Sequence, residues 1–324
     1  MDYWPSVSQD KTGGRAQTGN PFGFATNVAS MTRVPAKLLC GLLMMLAIGI
    51  ESTRTQNSIG PQGPEEGVIR RQTWLIPAQD RTTKMWTTMF RPPAAGPFPL
   101  AVINHGTTQN ELQRAEARMP EYSALSQWLV AHGYAVAIPQ RPGHGKTGGT
   151  YYEDQGGCAI ADFRKAGLNT AASIAAAVDY MIHQPFLQKT GVIAIGQSAG
   201  GWGALALASQ NYPPLKAVVA FAPGRGGRIG GVAGRNCAPD RLVAAARQFG
   251  EKTRIPSLWL YSENDSYFQP ELSKRLADTY RLAGGRAEFH LLPPVGTDGH
   301  NLINAREGVT LWTPLLETFF KAMK

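Results

Sequence analysis

Short, unbroken apolar runs alternate along this chain with stretches of helical spacing, and that alternation constrains the fold more than any other feature. The runs are "PLAVINHG" (99–106), "YAVAIPQ" (134–140), "GVIAIG" (191–196), "LKAVVAFAP" (215–223), "SLWLYSEND" (257–265) and "AEFHLLPP" (287–294). Runs of this length without polar alternation read as strands buried on both faces. Helical spacing occupies Tyr122–His132, Ala161–Gln184, the stretch after Ser198, Pro270–Ala283 and Val309–Met323. The combination predicts an α/β domain over residues 67–324, with a mostly parallel sheet flanked by helices. Two further strands, "GVIRRQTWLIPA" and "TTKMWTTMFRPP", meet at a turn, "QDRT", and fit an antiparallel pair at the sheet edge. A small loop-rich insertion is expected over about 224–252, after the sixth strand. In such sheets the chemistry lies beyond the carboxyl ends of the strands, and candidate residues are sought there.

One of those strand ends carries Gly196-Gln197-Ser198-Ala199-Gly200, a G-x-S-x-G sequence between an apolar run and a helix. A turn this sharp brings neighbouring backbone close, and glycine two residues to either side avoids a clash of Cβ atoms. The serine hydroxyl is then held above the sheet at a helix N-terminus, which favours developing negative charge. A hydroxyl is a weak nucleophile until a base takes its proton. Of the six histidines, His290 lies inside a strand, His132 and His183 fall at helix ends, His105 belongs to a strand-end loop with another use, and His144 is a lesser candidate in a glycine loop. His300, in "GTDGHN" after the last strand, is the expected base. Asp265, just past the apolar run of "SLWLYSEND", is the expected carboxylate that orients it. Glu263 is the alternative, and Asp298 reads as a turn former. The backbone N–H groups of Ala199 and Thr107 are the expected oxyanion donors, with Thr108 second.

Together "NHGTTQ", "RPGHGKTGG", "GQSAGG", "YSENDSYF" and "DGH" resemble the α/β-hydrolase superfamily, and within it the dienelactone hydrolase-like branch. The order Ser198, Asp265, His300 is that of the superfamily. The resemblance implies an eight-stranded sheet and hydrolysis of small-molecule esters or lactones without a cofactor. It departs from the branch at the nucleophile, where dienelactone hydrolases carry cysteine and this chain carries Ser198. The same fold also hosts peptidases, acyltransferases and non-catalytic binding proteins, so substrate has to be argued from the site.

The N-terminal region reads as a targeting segment. Lys37 precedes "LLCGLLMMLAIGI" (Leu38–Ile50). At about 1.5 Å per residue this run reaches about 20 Å, short of a bilayer core of about 30 Å. It fits the apolar region of a secretory signal peptide, with Ala47 and Gly49 as a small-x-small cleavage pattern. Met31 opens "MTRVPAK", an ordinary basic leader, which makes it an alternative start and 1–30 an extension. Residues 51–66, polar and aperiodic, read as a linker. Export fits the three cysteines: without Cys40 an even pair remains, which predicts a Cys158–Cys237 disulfide. That bridge would tie the insertion to the loop after "YAVAIPQ". Arg225, Arg228, Arg235 and Arg241 lie in or next to the insertion's glycine-rich part and could grip a substrate carboxylate.

Composition sets the remaining bounds. Hydrophobic residues are 43% and charged residues 17%, enough for a sizeable core. The net charge of +9 is scattered, with no nucleic-acid signature. Neither cysteine has metal-ligand spacing with a histidine. No nucleotide or metal partner is expected, and no stable membrane insertion once a leader is removed.

Overall fold

The computed structural model describes residues 58–323. The expected leader, the alternative start at Met31 and Cys40 lie outside them. Nine strands form one sheet: β1 (Gly60–Pro61), β2 (Gln72–Pro77), β3 (Lys84–Phe90), β4 (Leu100–Asn104), β5 (Ala135–Pro139), β6 (Val192–Gln197), β7 (Leu215–Phe221), β8 (Pro256–Ser262) and β9 (Arg286–Leu292). Their order is β1-β2-β3-β5-β4-β6-β7-β8-β9. The pairs β1/β2, β2/β3 and β3/β5 are antiparallel. Every pair from β5 through β4 to β9 is parallel. The sheet is therefore mostly parallel as expected, with nine strands in place of eight. The additional strand, β1, lies within the stretch expected as a linker. Two residues carry no periodicity, and only their pairing with Leu75 and Trp74 makes them a strand.

Alternate residues of the central strands feed two cores. Ala101, Ile103, Ile193, Ile195, Val219 and Leu260 face α2 (Ser123–Ala131) and α7 (Arg306–Ala322). Leu100, Val102, Val192, Ala194, Val218 and Trp259 face α3 (Phe163–Met181), α4 (Ala199–Ala208), α5 (Pro239–Lys252) and α6 (Pro270–Leu282). Both faces are covered, and this explains the continuous apolar runs in the sequence. Every residue of α4 is buried, because it is wedged between the sheet and α3. A Cβ on Gly203 would lie 2.3 Å from Thr170 of α3. The short helix α1 (Glu111–Ala115) follows β4 and is capped by Asn110, whose side chain accepts from the Gln113 N–H.

The insertion is shorter than expected. Helix α5 takes its second half, with Pro239 in its first turn and Leu242, Ala245, Ala246 and Phe249 on its buried side. Only 224–238 remains irregular. The expected bridge, Cys158–Cys237, is present and ties this segment to the loop after β5, with Cα atoms 5.1 Å apart.

Candidate active site

Ser198 stands between β6 and α4 with φ 53° and ψ −122°. A side-chain-bearing residue in that region is strained and persists only where its surroundings hold it. Here the Ser198 N–H donates to the Phe221 carbonyl at 2.9 Å. A Cβ on Gly196 would lie 2.3 Å from the Gly200 backbone, and one on Gly200 would lie 2.1 Å from the Asn104 carbonyl. The two glycines are there because backbone occupies the space around the turn. Ser198 is 9% exposed.

Asp265 follows β8 and is buried. One of its carboxylate oxygens accepts the N–H groups of Tyr267 at 2.7 Å and Phe268 at 3.0 Å. Both oxygens lie 3.1 Å from Nδ1 of His300, which follows β9. The carboxylate thereby selects the tautomer with Nδ1 protonated and leaves Nε2 as the basic nitrogen. Glu263, the alternative acid, is exposed and offers only its backbone N–H, to the Leu292 carbonyl.

Residues that the sequence did not single out hold this histidine. Gln197, the second residue of the elbow, donates to the His300 carbonyl at 2.9 Å, and the Tyr122 hydroxyl donates to Gln197 at 3.1 Å. The Tyr267 ring stacks on the imidazole at 3.9 Å between centroids, with the planes 22° apart. Asp298 does shape the turn, accepting the His300 N–H at 3.0 Å. It also accepts the Ser266 N–H and hydroxyl, which joins the β9 loop to the Asp265 loop. Burial raises the Asp298 carboxyl, but the Ser266 hydroxyl and these two N–H groups outweigh it and hold the pKa below its ordinary value.

The loop after β4 lies against the nucleophile: a Cβ on Gly106 would be 3.4 Å from Ser198 Cβ. Among the described residues, no acceptor engages the Thr107 or Ala199 backbone N–H. The Thr107 hydroxyl instead donates to Nε2 of His144 at 2.6 Å, and Nδ1–H of His144 points to the Arg141 and Pro142 carbonyls. Nε2 of His105 accepts the Arg141 N–H at 3.0 Å, and its Nδ1–H donates to the Gly106 carbonyl at 2.6 Å. Both rings are buried and neutral. Burial lowers His144 to about 4, and burial aided by the Arg141 charge carries His105 well below its ordinary value. Neither ring is available as the base, and His105 and His144 serve to lock two loops together.

Of the arginines expected to reach substrate, Arg225 is placed differently, enclosed within the domain. Arg225 is buried and paired with Glu153 at 2.5 Å. Its guanidinium also donates to the Glu153 carbonyl at 2.9 Å and to the Thr170 hydroxyl at 2.7 Å. Arg228 reaches Asp298 at 3.4 Å and the Gly231 carbonyl at 3.1 Å. These contacts fasten the insertion to the body of the domain. No local sequence signal marked Glu153, whose partners are Arg141, 12 residues earlier in the same loop, and Arg225 from the loop after β7.

The prolyl oligopeptidase family matches residues 120–224, a span that includes Ser198 and ends before Asp265 and His300. Among solved structures, the chain is similar to an esterase of Pyrococcus furiosus (TM-score 0.57, 14% identity, 82% of this chain and 100% of that one). The chain has the α/β-hydrolase fold. It shares that hydrolase fold with an acylaminoacyl peptidase of Pyrococcus horikoshii (TM-score 0.58, 12% identity), covering 79% of this chain and 42% of the peptidase chain. A Klebsiella pneumoniae structure provisionally described as a dienelactone hydrolase is similar over 76% of this chain and 96% of its own, at TM-score 0.50 and 17% identity. Identities this low speak to the hydrolase fold and not to substrate. No curated protein matches the sequence.

Proposed function

We propose that this hydrolase cleaves carboxylic esters or lactones through an acyl-enzyme on Ser198, with His300 as base and Asp265 as its orienting carboxylate. The observation that carries this reading is a strained serine elbow in a domain where a half-buried imidazole, His300, meets a buried carboxylate, Asp265, in the loops that follow the last two strands. His300 Nε2 takes the Ser198 proton as the oxygen attacks the ester carbonyl. The Ala199 and Thr107 N–H groups stabilise the oxyanion. The imidazolium returns its proton to the leaving alcohol, the C–O bond breaks, and the acyl group remains on Ser198. Water, deprotonated by the same nitrogen, adds to the acyl carbon; the bond to Ser198 Oγ then breaks, the imidazolium returns its proton to that oxygen, and the acid is released. Asp265 keeps its hydrogen bonds to Nδ1 throughout and stabilises the imidazolium.

The match to the prolyl oligopeptidase family favours a second reading, in which the same residues cleave a peptide bond. An alcohol in place of water would make the product a new ester. The same proposal takes the protein to be exported, on the strength of the Leu38–Ile50 run and the disulfide. Among the described residues, no helix is long and apolar enough to cross a membrane.

The test is turnover of a short and a long p-nitrophenyl ester and of a peptide p-nitroanilide by the wild type and Ser198→Ala. The expected outcome is ester turnover in the wild type and a fall of at least about 10³-fold in the folded variant. Equal activity in both proteins removes Ser198 as nucleophile. Turnover of the anilide alone moves the assignment to the peptidase.

A further inference from the structure

Three charges are buried together in a part of the molecule that the mechanism above does not use. Arg141 and Glu153 in the loop after β5 and Arg225 after β7 are each almost wholly enclosed. Arg141 Nε donates to one Glu153 oxygen, Arg141 Nη2 reaches the other at 3.2 Å, and Arg225 Nη2 donates to that same oxygen at 2.5 Å. Burial raises the Glu153 carboxyl, but the two guanidiniums outweigh it and hold it well below the usual carboxylate range. Taking three charges out of water is costly, and replacing such a cluster with apolar side chains is often neutral or stabilising. Stability alone therefore does not account for it.

Arg141 also makes two contacts with His105, and these lead toward the reacting atoms. Its Nη1 donates to the His105 carbonyl at 2.8 Å, while its backbone N–H donates to His105 Nε2 at 3.0 Å. The same residue thus grips both the backbone and the ring of the residue that begins the loop after β4. Two positions later in that loop is Thr107, whose N–H is the proposed oxyanion donor. The Thr107 side chain is tied back to His144 in the Arg141 loop. Glu153 holds the guanidinium in one orientation, and Arg225 anchors Glu153 through a carboxylate oxygen and the backbone carbonyl.

We propose that Arg141 is a positioning residue for the oxyanion loop. Backed by Glu153, it fixes the backbone of 105–107 against Ser198 so that the Thr107 N–H stays directed at the oxygen that becomes negative. The cluster, two cations to one anion, also leaves net positive charge beside that loop. This assignment rests on the reading of Ser198 as the nucleophile. Its effect belongs to the transition state, because the ground-state carbonyl gains little from the donor.

The experiment uses Arg141→Lys, which keeps the charge but not the forked geometry, and the triple variant Arg141→Met/Glu153→Met/Arg225→Met, which removes all three charges and leaves none unpaired. Active sites are counted by labelling to completion with a fluorophosphonate, so that rates are expressed per folded site. The readouts are kcat and KM for a p-nitrophenyl ester, and affinity for an aryl trifluoromethyl ketone. In the ketone adduct the Ser198 oxygen bonds to the carbonyl carbon, the serine proton passes to His300 and the ketone oxygen carries the negative charge. Expected are a kcat lower by about 30- to 100-fold, a KM within about threefold, and a ketone affinity lower in step with kcat. A folded variant of either kind with kcat and ketone affinity within about twofold of wild type overturns the proposal, as does failure of both variants to fold, which would assign the cluster to stability. A wild type that neither turns over esters nor takes up the fluorophosphonate overturns the serine-hydrolase reading itself, a result separate from any behaviour of the Arg141 variants.

Discussion

The His300 ring is held by groups drawn from three loops: Asp265 on Nδ1, Tyr267 on one face, and Asp298 and Gln197 on its backbone. The stacked tyrosine limits how far the imidazole can swing, and its electron-rich face favours the imidazolium that forms as Ser198 is deprotonated. Tyr267→Phe keeps the ring and should keep wild-type kcat. Tyr267→Leu should lower kcat by about 3- to 10-fold, the range expected for one aromatic contact, with little change in KM. Steady-state kinetics on the two variants decides it, and a leucine variant with wild-type kcat would remove the stack from the mechanism. This residue could not be found from the sequence, where "YSENDSYF" offers three aromatics, Tyr261, Tyr267 and Phe268, with nothing local to tell them apart. Its role exists only because β8 and β9 are adjacent and end side by side.

At the level of elements, the site is built from loops that leave one end of the sheet and are fastened to one another. The insertion between β7 and α5 is fixed by Arg225 inside the domain, by Arg228 on Asp298 and by the disulfide to Cys158. The cross-link spans 79 residues of sequence. Constraining an unfolded chain over that length contributes about 4 kcal/mol in the entropic account. Cys158→Ser/Cys237→Ser should lower stability by about 2–4 kcal/mol and the melting temperature by about 5–15 °C. Unchanged melting, with both thiols free by mass mapping of the wild type, would remove the tether. Helix α5 was legible after the fact in its spacing of Leu242, Ala245, Ala246 and Phe249. The glycine-rich stretch before it masked that period and extended the expected loop too far.

Over the whole molecule, the buried ionisable groups set a direction for pH dependence. His105 and His144 are folded in their neutral forms with depressed pKa values, whereas in the unfolded chain each takes up a proton near pH 6.5. Their stabilising contribution is present above that pH and is lost as the pH falls toward about 4, where His144 charges in the folded state. Glu153 acts in the same direction at lower pH, since its folded pKa is depressed and protonation in the unfolded chain begins near the ordinary carboxylate value. Urea unfolding should therefore show stability falling below pH 6.5 with a slope approaching uptake of about two protons, about 1.4 kcal/mol per pH unit for each. His144→Gln should remove about one proton from that slope. A stability that is flat from about pH 6.5 to 4.5 would show that the two rings do not stay neutral.

The sequence by itself determined the layered α/β architecture, because strands covered on both faces must be continuously apolar and the helices between them must be amphipathic or buried. It also placed Ser198, since only glycines fit the crowded turn around it, and the chain order of Asp265 and His300 followed from where the later strands end. The two-residue strand β1, the burial of Arg225 against Glu153, and the meeting of Arg141, Glu153 and His105 belong to the tertiary structure alone. Strand and helix periods are written locally, within a few residues of chain. The partners of Glu153 lie 12 residues away in the same loop and 72 residues away after β7, and contacts across those distances leave no period in the sequence; they appear only when the loop folds back on itself and parallel strands bring their ends to the same edge.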